Sequence, residues 1–211
     1  MALTTPISRW KFDGNTNDLY GAHNLTNNGI TFINSTKRSG NYCANLVYAS
    51  AQYAYTSINV NAYTAYSITG WFKSPGSATF NYFINEIVGT SSNYIDIYFI
   101  NNHNYVTFSK TSSYTINSGV VNDNNWHFYA LVDNNGAVAV YMDGASVNTA
   151  SYVRGSETYS TYYFGHSAGG ANFGGNFDDM RLYNVALSAT DVAVLYRSYS
   201  GEQAPLASSS L

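Results

Sequence analysis

The feature that most constrains the fold of this chain is a series of short runs in which apolar and polar residues alternate. Each run ends in a cluster of Asn, Asp, Gly or Ser. Residues 67–72 (Ser-Ile-Thr-Gly-Trp-Phe), 94–99 (Tyr-Ile-Asp-Ile-Tyr-Phe), 105–108, 126–132 and 137–142 all read this way. A side-chain period of two suits a pleated strand covered on one face, not a helix. Between the last two runs, Asp133-Asn134-Asn135-Gly136 carries the Asn-Gly signal of a tight hairpin, and Asp143-Gly144 marks the next turn. Strands spaced like this, with no helical period between them, predict an all-β sandwich or barrel. One stretch reads as a helix, 188–196, with Ser188 and Asp191 placed as a capping box. It follows the last strand and is expected to pack across one end of the sandwich.

Composition narrows the function classes. Charged residues make up only 10% of the chain and aromatics 17%, so Asn, Ser, Thr, Gly and tyrosine hydroxyls must supply the polar surface. The net charge is −3 without a Lys/Arg cluster, which argues against a nucleic-acid partner. No apolar run is long enough to insert in a membrane as a helix. The first residues, Met1-Ala2-Leu3-Thr4-Thr5-Pro6, lack the charged and apolar segments of a signal peptide. Placement on an extracellular surface or in a virion would then need another route. The 211 residues fit a single sandwich domain, expected over 1–199, with 200–211 as a polar tail. Cys43 lies in a strand-like run and reads as a small buried hydrophobe.

Four segments carry a family likeness. They are Trp10-x-Phe12-Asp13-Gly14-Asn15-x-Asn17-Asp18, Ser67-Ile68-x-Gly70-Trp71-Phe72-Lys73, the stretch from Asn125-Trp126-His127-Phe128 to Tyr141-Met142-Asp143-Gly144, and Phe177-Asp178-Asp179-Met180-Arg181-Leu182-Tyr183-Asn184-Val185-Ala186-Leu187-Ser188. In this order they resemble the laminin G-like, concanavalin A-like jelly-roll superfamily, nearest its bacterial and viral type. The likeness runs over roughly residues 8–197. It implies a single jelly-roll β-sandwich of two antiparallel sheets with one short C-terminal helix. Fold alone does not fix a ligand.

The first and last strands, if adjacent, bring acidic residues to a common point. Asp13, Asn15, Asp18 and Asp178 offer the hard oxygens that calcium takes, and the resemblance implies a structural calcium there. The competing reading has Asp13 and Asn15 making local bonds to the backbone. Asp178 and Asp179 alternate across a strand, so Asp178 is the expected ligand, and Asp179 is left to pair with Arg181 or a neighbouring loop. Glycoside hydrolysis needs two cooperating carboxylates. The three glutamates, Glu86, Glu157 and Glu202, are not spaced for that, and Asp96 has no acidic partner two residues away. His23, His103, His127 and His166 show no metal-ligand spacing, and His127 is expected to have a structural hydrogen-bonding role.

Twenty-one tyrosines, each with an apolar ring and a polar tip, set beside many Asn, suit a glycan or surface polysaccharide. The same mixture suits protein–protein contacts. Tyr152, Tyr159, Tyr162 and Asn172, in the segment without family pattern, are the expected ligand-binding residues. The leading expectation is thus a non-enzymatic glycan-binding module stabilised by calcium. The alternative is a structural or assembly subunit, a homo-oligomer or a capsid or fibre component, that uses its tyrosines as subunit contacts.

Overall fold

A computed structural model describes residues 3–75, 81–88, 94–100, 103–109, 121–154, 160–167 and 170–199. The expected tail, 200–211, lies outside the described residues. The elements in chain order are β1 (Ser8–Trp10), β2 (Thr26–Asn28), β3 (Thr31–Ile33), β4 (Cys43–Leu46), β5 (Tyr53–Ser57), β6 (Ala65–Lys73), β7 (Asn81–Val88), β8 (Tyr94–Ile100), β9 (His103–Ser109), β10 (Trp126–Asn134), β11 (Ala137–Met142), β12 (Ala145–Ser151), β13 (Ser160–Phe164), β14 (Gly175–Tyr183) and α1 (Ala189–Tyr199). Two antiparallel sheets face each other. Among the described residues the larger runs β12-β11-β10-β6-β14-β4-β3, with β1 also paired to β14, and the smaller runs β2-β5-β13-β7-β8-β9.

The first and last strands do lie side by side. Ser8, Arg9 and Trp10 pair with Leu182, Arg181 and Met180. The hairpin signals also hold. Asn135 and Gly136 both take positive φ between β10 and β11, and Asp143 and Gly144 do the same before β12. Two successive positive φ values match the right-handed twist of the flanking strands.

Alternation along the strands builds the core. Tyr66, Ile68 and Phe72 of β6 point between the sheets, where Phe72, Phe83, Phe173 and Phe177 interlock. Their ring centroids stand 4.5–6.0 Å apart. Trp71, Phe128 and Tyr183 project from the opposite face of the larger sheet. Val192 and Leu195 of α1 cover them in a second apolar cluster. The helix therefore lies on the outer face of that sheet, not across one end as expected. The physical reason is that β6, β10 and β14 are apolar on both faces, and the outer one needs a lid. Ser188 caps α1 as expected. Its Oγ accepts from the Asp191 N–H, and the Ser188 N–H donates back to Asp191 Oδ2 at 3.1 Å. Trp10 and Trp71 are buried, whereas Trp126 packs at the margin of the second cluster.

Within β14 the pairing with β6 slips between Asp178 and Arg181. Asp179 takes φ 48° in this bulge, and Met180 packs over Gly70. A Cβ on Gly70 would stand 2.0 Å from Met180 Sδ, so any larger residue there forces Met180 to move. The bulge aims Asp179 at two arginines. Arg9 Nε and Nη2 reach Oδ1 and Oδ2 at 2.6 and 3.1 Å, and Arg181 Nη2 reaches Oδ2 at 2.7 Å. Two like charges directly opposite each other in a strand pair repel, and the one buried carboxylate that bridges them offsets that repulsion.

Candidate functional site

With the outer face of the larger sheet partly covered by α1, the outer face of the smaller sheet is the other broad surface. In β5, Ala54 is fully buried, which turns Tyr53 and Tyr55 outward. In β13, Tyr162 and Phe164 point into the core, which turns Tyr163 outward. Strand register then sets these rings in rows. Thr26, Tyr55 and Tyr163 share one, and Asn28 pairs with Tyr53 in the next. Asn85 of β7 and Asp96 of β8 continue the Tyr163 row.

The rings touch one another. Tyr55 and Tyr163 stack at 5.6 Å, and Tyr53 lies 6.1 and 5.9 Å from Tyr55 and Tyr163. His166 stacks on Tyr53 at 4.8 Å with 19° between planes. The turn that delivers His166 depends on Gly165 (φ +91°), where a Cβ would stand 2.3 Å from Leu46 Cδ2. His166 Nδ1 is bonded to Asn172 Oδ1 at 3.1 Å, and Asn172 Nδ2 donates to the Tyr48 carbonyl.

Among the described residues the hydroxyls of Tyr53, Tyr55 and Tyr163 have no protein hydrogen-bond partner, and neither do the side chains of Thr26 and Asn28. Burial, then the neighbouring Tyr53 and Tyr55, raise the Tyr163 hydroxyl above its ordinary pKa. The face thus presents half-buried rings with uncommitted hydroxyls that can donate and accept, flanked by a free amide and a free threonine.

The expected ligand-binding residues are distributed differently. Asn172 stands at the rim of this face, holding His166. Tyr162 is 2% exposed and packs in the core. Tyr152 donates its hydroxyl to Asp133 Oδ2, beside Arg154, whose guanidinium grips the carbonyls of Val60, Tyr63 and Thr64. That arrangement ties a strand end to a loop. Tyr159 lies outside the described residues. Tyr53, Tyr55, Tyr163 and His166 were not singled out as binding residues. Strand parity was the available signal: in Tyr162-Tyr163-Phe164, an inward Phe164 forces Tyr162 inward and Tyr163 outward.

The four residues expected to hold calcium do not converge. Asn15 Oδ1 accepts from Asn17 N in a local turn. Asp18 accepts the N–H groups of Arg9, Tyr20 and His23. Asp13 and Asp178 do come together, but around the loop 38–42. Asp13 Oδ1 takes the N–H groups of Asn41 and Tyr42 at 2.7 and 2.9 Å, with Lys11 Nζ 3.3 Å from Oδ2. Asp178 Oδ2 takes those of Arg38 and Ser39 at 2.6 and 2.8 Å, and Oδ1 accepts from Ser39 Oγ. Calcium needs six to eight oxygens, whereas the groups aimed at these carboxylates are N–H donors and an ammonium. Among the described residues no three of His, Cys, Asp and Glu are grouped to hold a metal ion. The residues present do not fit a calcium cage. Burial pushes the Asp178 carboxyl up to about 6, against its hydrogen bonds and with the Asp13 charge nearby.

His127 is held at both nitrogens, Nδ1 to Asp143 at 2.8 Å and Nε2 to Asp123 at 3.0 Å. Asp143 also accepts the Phe128 N–H, so the histidine pins a turn to β10. Burial lowers its pKa, but the bonds to both aspartates override this and raise it.

A Laminin G family model, described as the Concanavalin A-like lectin/glucanases superfamily, matches residues 48–193. No curated protein matches the sequence. Among solved structures, domain 4 of AbnA, a GH43 extracellular arabinanase from Geobacillus stearothermophilus in complex with arabinotriose, is similar with TM-score 0.72 and 18% identity. That match covers 92% of this chain and all of that one. The binding domain of Paraclostridial Mosquitocidal Protein 1 gives TM-score 0.71 and 16% identity, over 88% of this chain and 50% of that one. The binding domain of Botulinum Neurotoxin DC in complex with SialylT gives 0.71 and 18%, over 92% and 51%. The chain thus spans about half the length of the two toxin domains. At these identities the likeness shows the fold.

Proposed function

The chain belongs to the concanavalin A-like lectin/glucanases superfamily, and from that premise we propose that it is a non-enzymatic glycan-binding module acting outside the cell. The observation that carries this reading is the cluster of Tyr53, Tyr55, Tyr163 and His166 on the outer face of the smaller sheet, with three phenolic hydroxyls that have no protein partner among the described residues. Rings of this kind offer apolar surface to a sugar and hydroxyls to its hydroxyls. Similar domains solved with arabinotriose and with SialylT support it. So does the placement of acids in this sheet. Its six strands hold only Glu86 and Asp96 as carboxylates, in successive rows opposite Ile95 and Asn85. A hydrolase needs its two acids facing one bond. A glycan array tests the reading. Binding that Tyr163→Ala and Tyr53→Ala abolish, with thermal stability retained, supports it, and no binding to any glycan defeats it.

One observation favours the assembly role as a second reading. β12, an edge strand of the larger sheet, reads Ala-Ser-Val-Asn-Thr-Ala-Ser, carries no charge and is exposed along most of its length. Uncharged edges are templates for strand addition. Light scattering at rising concentration separates the two. A stable monomer removes the assembly reading, and growth that Val147→Lys blocks supports it.

A further inference from the structure

The tyrosine face lies on a sheet from which basic residues are missing. The six strands of the smaller sheet read Thr-Asn-Asn, Tyr-Ala-Tyr-Thr-Ser, Asn-Tyr-Phe-Ile-Asn-Glu-Ile-Val, Tyr-Ile-Asp-Ile-Tyr-Phe-Ile, His-Asn-Tyr-Val-Thr-Phe-Ser and Ser-Thr-Tyr-Tyr-Phe. Not one position in them is Lys or Arg. Of the nine basic residues of the chain, the eight that are described lie outside these strands. Arg9, Lys73 and Arg181 are in strands of the larger sheet. Arg9 and Arg181 are bound to Asp179, Lys11 stands beside Asp13, Lys73 bonds Thr36, and Arg38 lies 4.0 Å over Trp71. Arg154 is spent on backbone carbonyls. Lys110 lies outside the described residues.

We infer that the ligand of this face is an uncharged glycan, and that carboxylated, sulfated or phosphorylated glycans are excluded. This rests on the binding role proposed for the face. Anionic groups are recognised by Arg or Lys, often bidentately, or by clustered backbone N–H donors. In these strands the backbone N–H groups serve ladders on both sides of β5, β13, β7 and β8. What remains at Tyr53, Tyr55 and Tyr163 are phenols, which match sugar hydroxyls because both donate and accept. The formal charge that strand register puts in the Tyr163 row is Asp96. A like charge brought to that row is repelled, and nothing in the strands offsets it. The smaller sheet therefore selects by what it lacks, and its acids strengthen the selection.

Binding to neutral oligosaccharides and to carboxylated counterparts of the same core, sialylated or uronate, tests this at about 0.15 M salt and again at higher salt. The expected result is neutral binding, with each carboxylated counterpart weaker by at least about tenfold, or about 1.4 kcal/mol. Tyr163→Ala should cost at least about tenfold in neutral binding, on the scale of losing one ring contact. Thr161→Arg, on the same strand and partly exposed, should narrow the gap between the two classes. A preference for the carboxylated glycan that Tyr163→Ala removes overturns the charge inference and leaves the face as the site. Binding of neither class, or binding indifferent to Tyr163→Ala, overturns the face itself and the inference with it.

Discussion

Asp178 gives the sharpest test of how this domain closes. Its carboxyl is fully buried and accepts two N–H groups and one hydroxyl from the loop 38–42. Burial leads in pushing its pKa from 3.8 to about 6. The folded protein therefore keeps the proton to about pH 6, whereas the unfolded chain releases it near 3.8. Between those values the folded state binds a proton that the unfolded state has lost, so stability falls as pH rises through the window. Above the window the ionised group costs the fold about 3 kcal/mol. Asn in place of Asp copies the protonated form. Its Oδ1 can take both N–H groups and its Nδ2 can donate to Ser39 Oγ. Asp178→Asn should then stabilise the protein at pH 7.5 by about 2–3 kcal/mol, a rise in Tm of roughly 5–10 °C for a domain of this size. The difference from wild type should vanish below about pH 4, where both side chains are neutral. Burial works against Asp13, but its N–H donors and Lys11 hold it low, so its own titration contributes in the opposite direction. Thermal unfolding with calcium and with chelator completes the assay. The reasoning is refuted if Asp178→Asn lowers Tm at pH 7.5, or if chelation lowers the Tm of wild type but not of the variant. The latter would mean a cation does sit between Asp13 and Asp178.

Three further outcomes follow from the same geometry. Asp179→Ala leaves Arg9 opposite Arg181 without the carboxylate they share, and urea unfolding should show a loss of about 3–5 kcal/mol. Gly70→Ala places a methyl 2.0 Å from Met180 Sδ and should cost about 1–3 kcal/mol, part of which Met180→Ala should restore in the double variant. His127 has a raised pKa, so its stabilisation is complete below 6.5 and is lost as pH rises through the folded value. His127→Gln should flatten that decline in a plot of Tm against pH.

The strands were legible because alternation and Asn-Gly turns are local facts, and β10–β11 folds as Asn135-Gly136 and the alternating runs on either side dictate. The pairing of β1 with β14 was legible only as a condition, because both ends read as an apolar strand with acids at its edge and nothing local sets them side by side. The roles of the acids were not. Asp178 meets its donors across 139 and 140 residues, and no spacing rule reaches that far. The choice between a cation and a loop as the occupant of such carboxylates depends on which way backbone N–H groups point. For Asp179 the pair with Arg181 was legible and holds, but the contact with Arg9 was not, since strand alternation does not anticipate a left-handed residue in a bulge.

The tyrosines show where residue type stops being informative. Tyr152, Tyr162 and Tyr163 are chemically identical, yet one bonds Asp133, one fills the core and one faces outward. What separates Tyr162 from Tyr163 is parity relative to Phe164, which the sequence holds. What makes the Tyr163 face a candidate site is topological. A two-sheet sandwich has four faces, and the two inner ones form the core. The outer face of the larger sheet carries Trp71, Phe128 and Tyr183, and α1 covers them. The outer face of the smaller sheet is the other candidate, and the outward side chains described on β5 and β13 include tyrosines rather than the leucines and valines a buried face would hold. A half-exposed tyrosine cluster there is tolerated because each ring is apolar below and polar above, so it needs neither a lid nor a partner to be stable. That same self-sufficiency lets the rings stay half exposed without destabilising the fold.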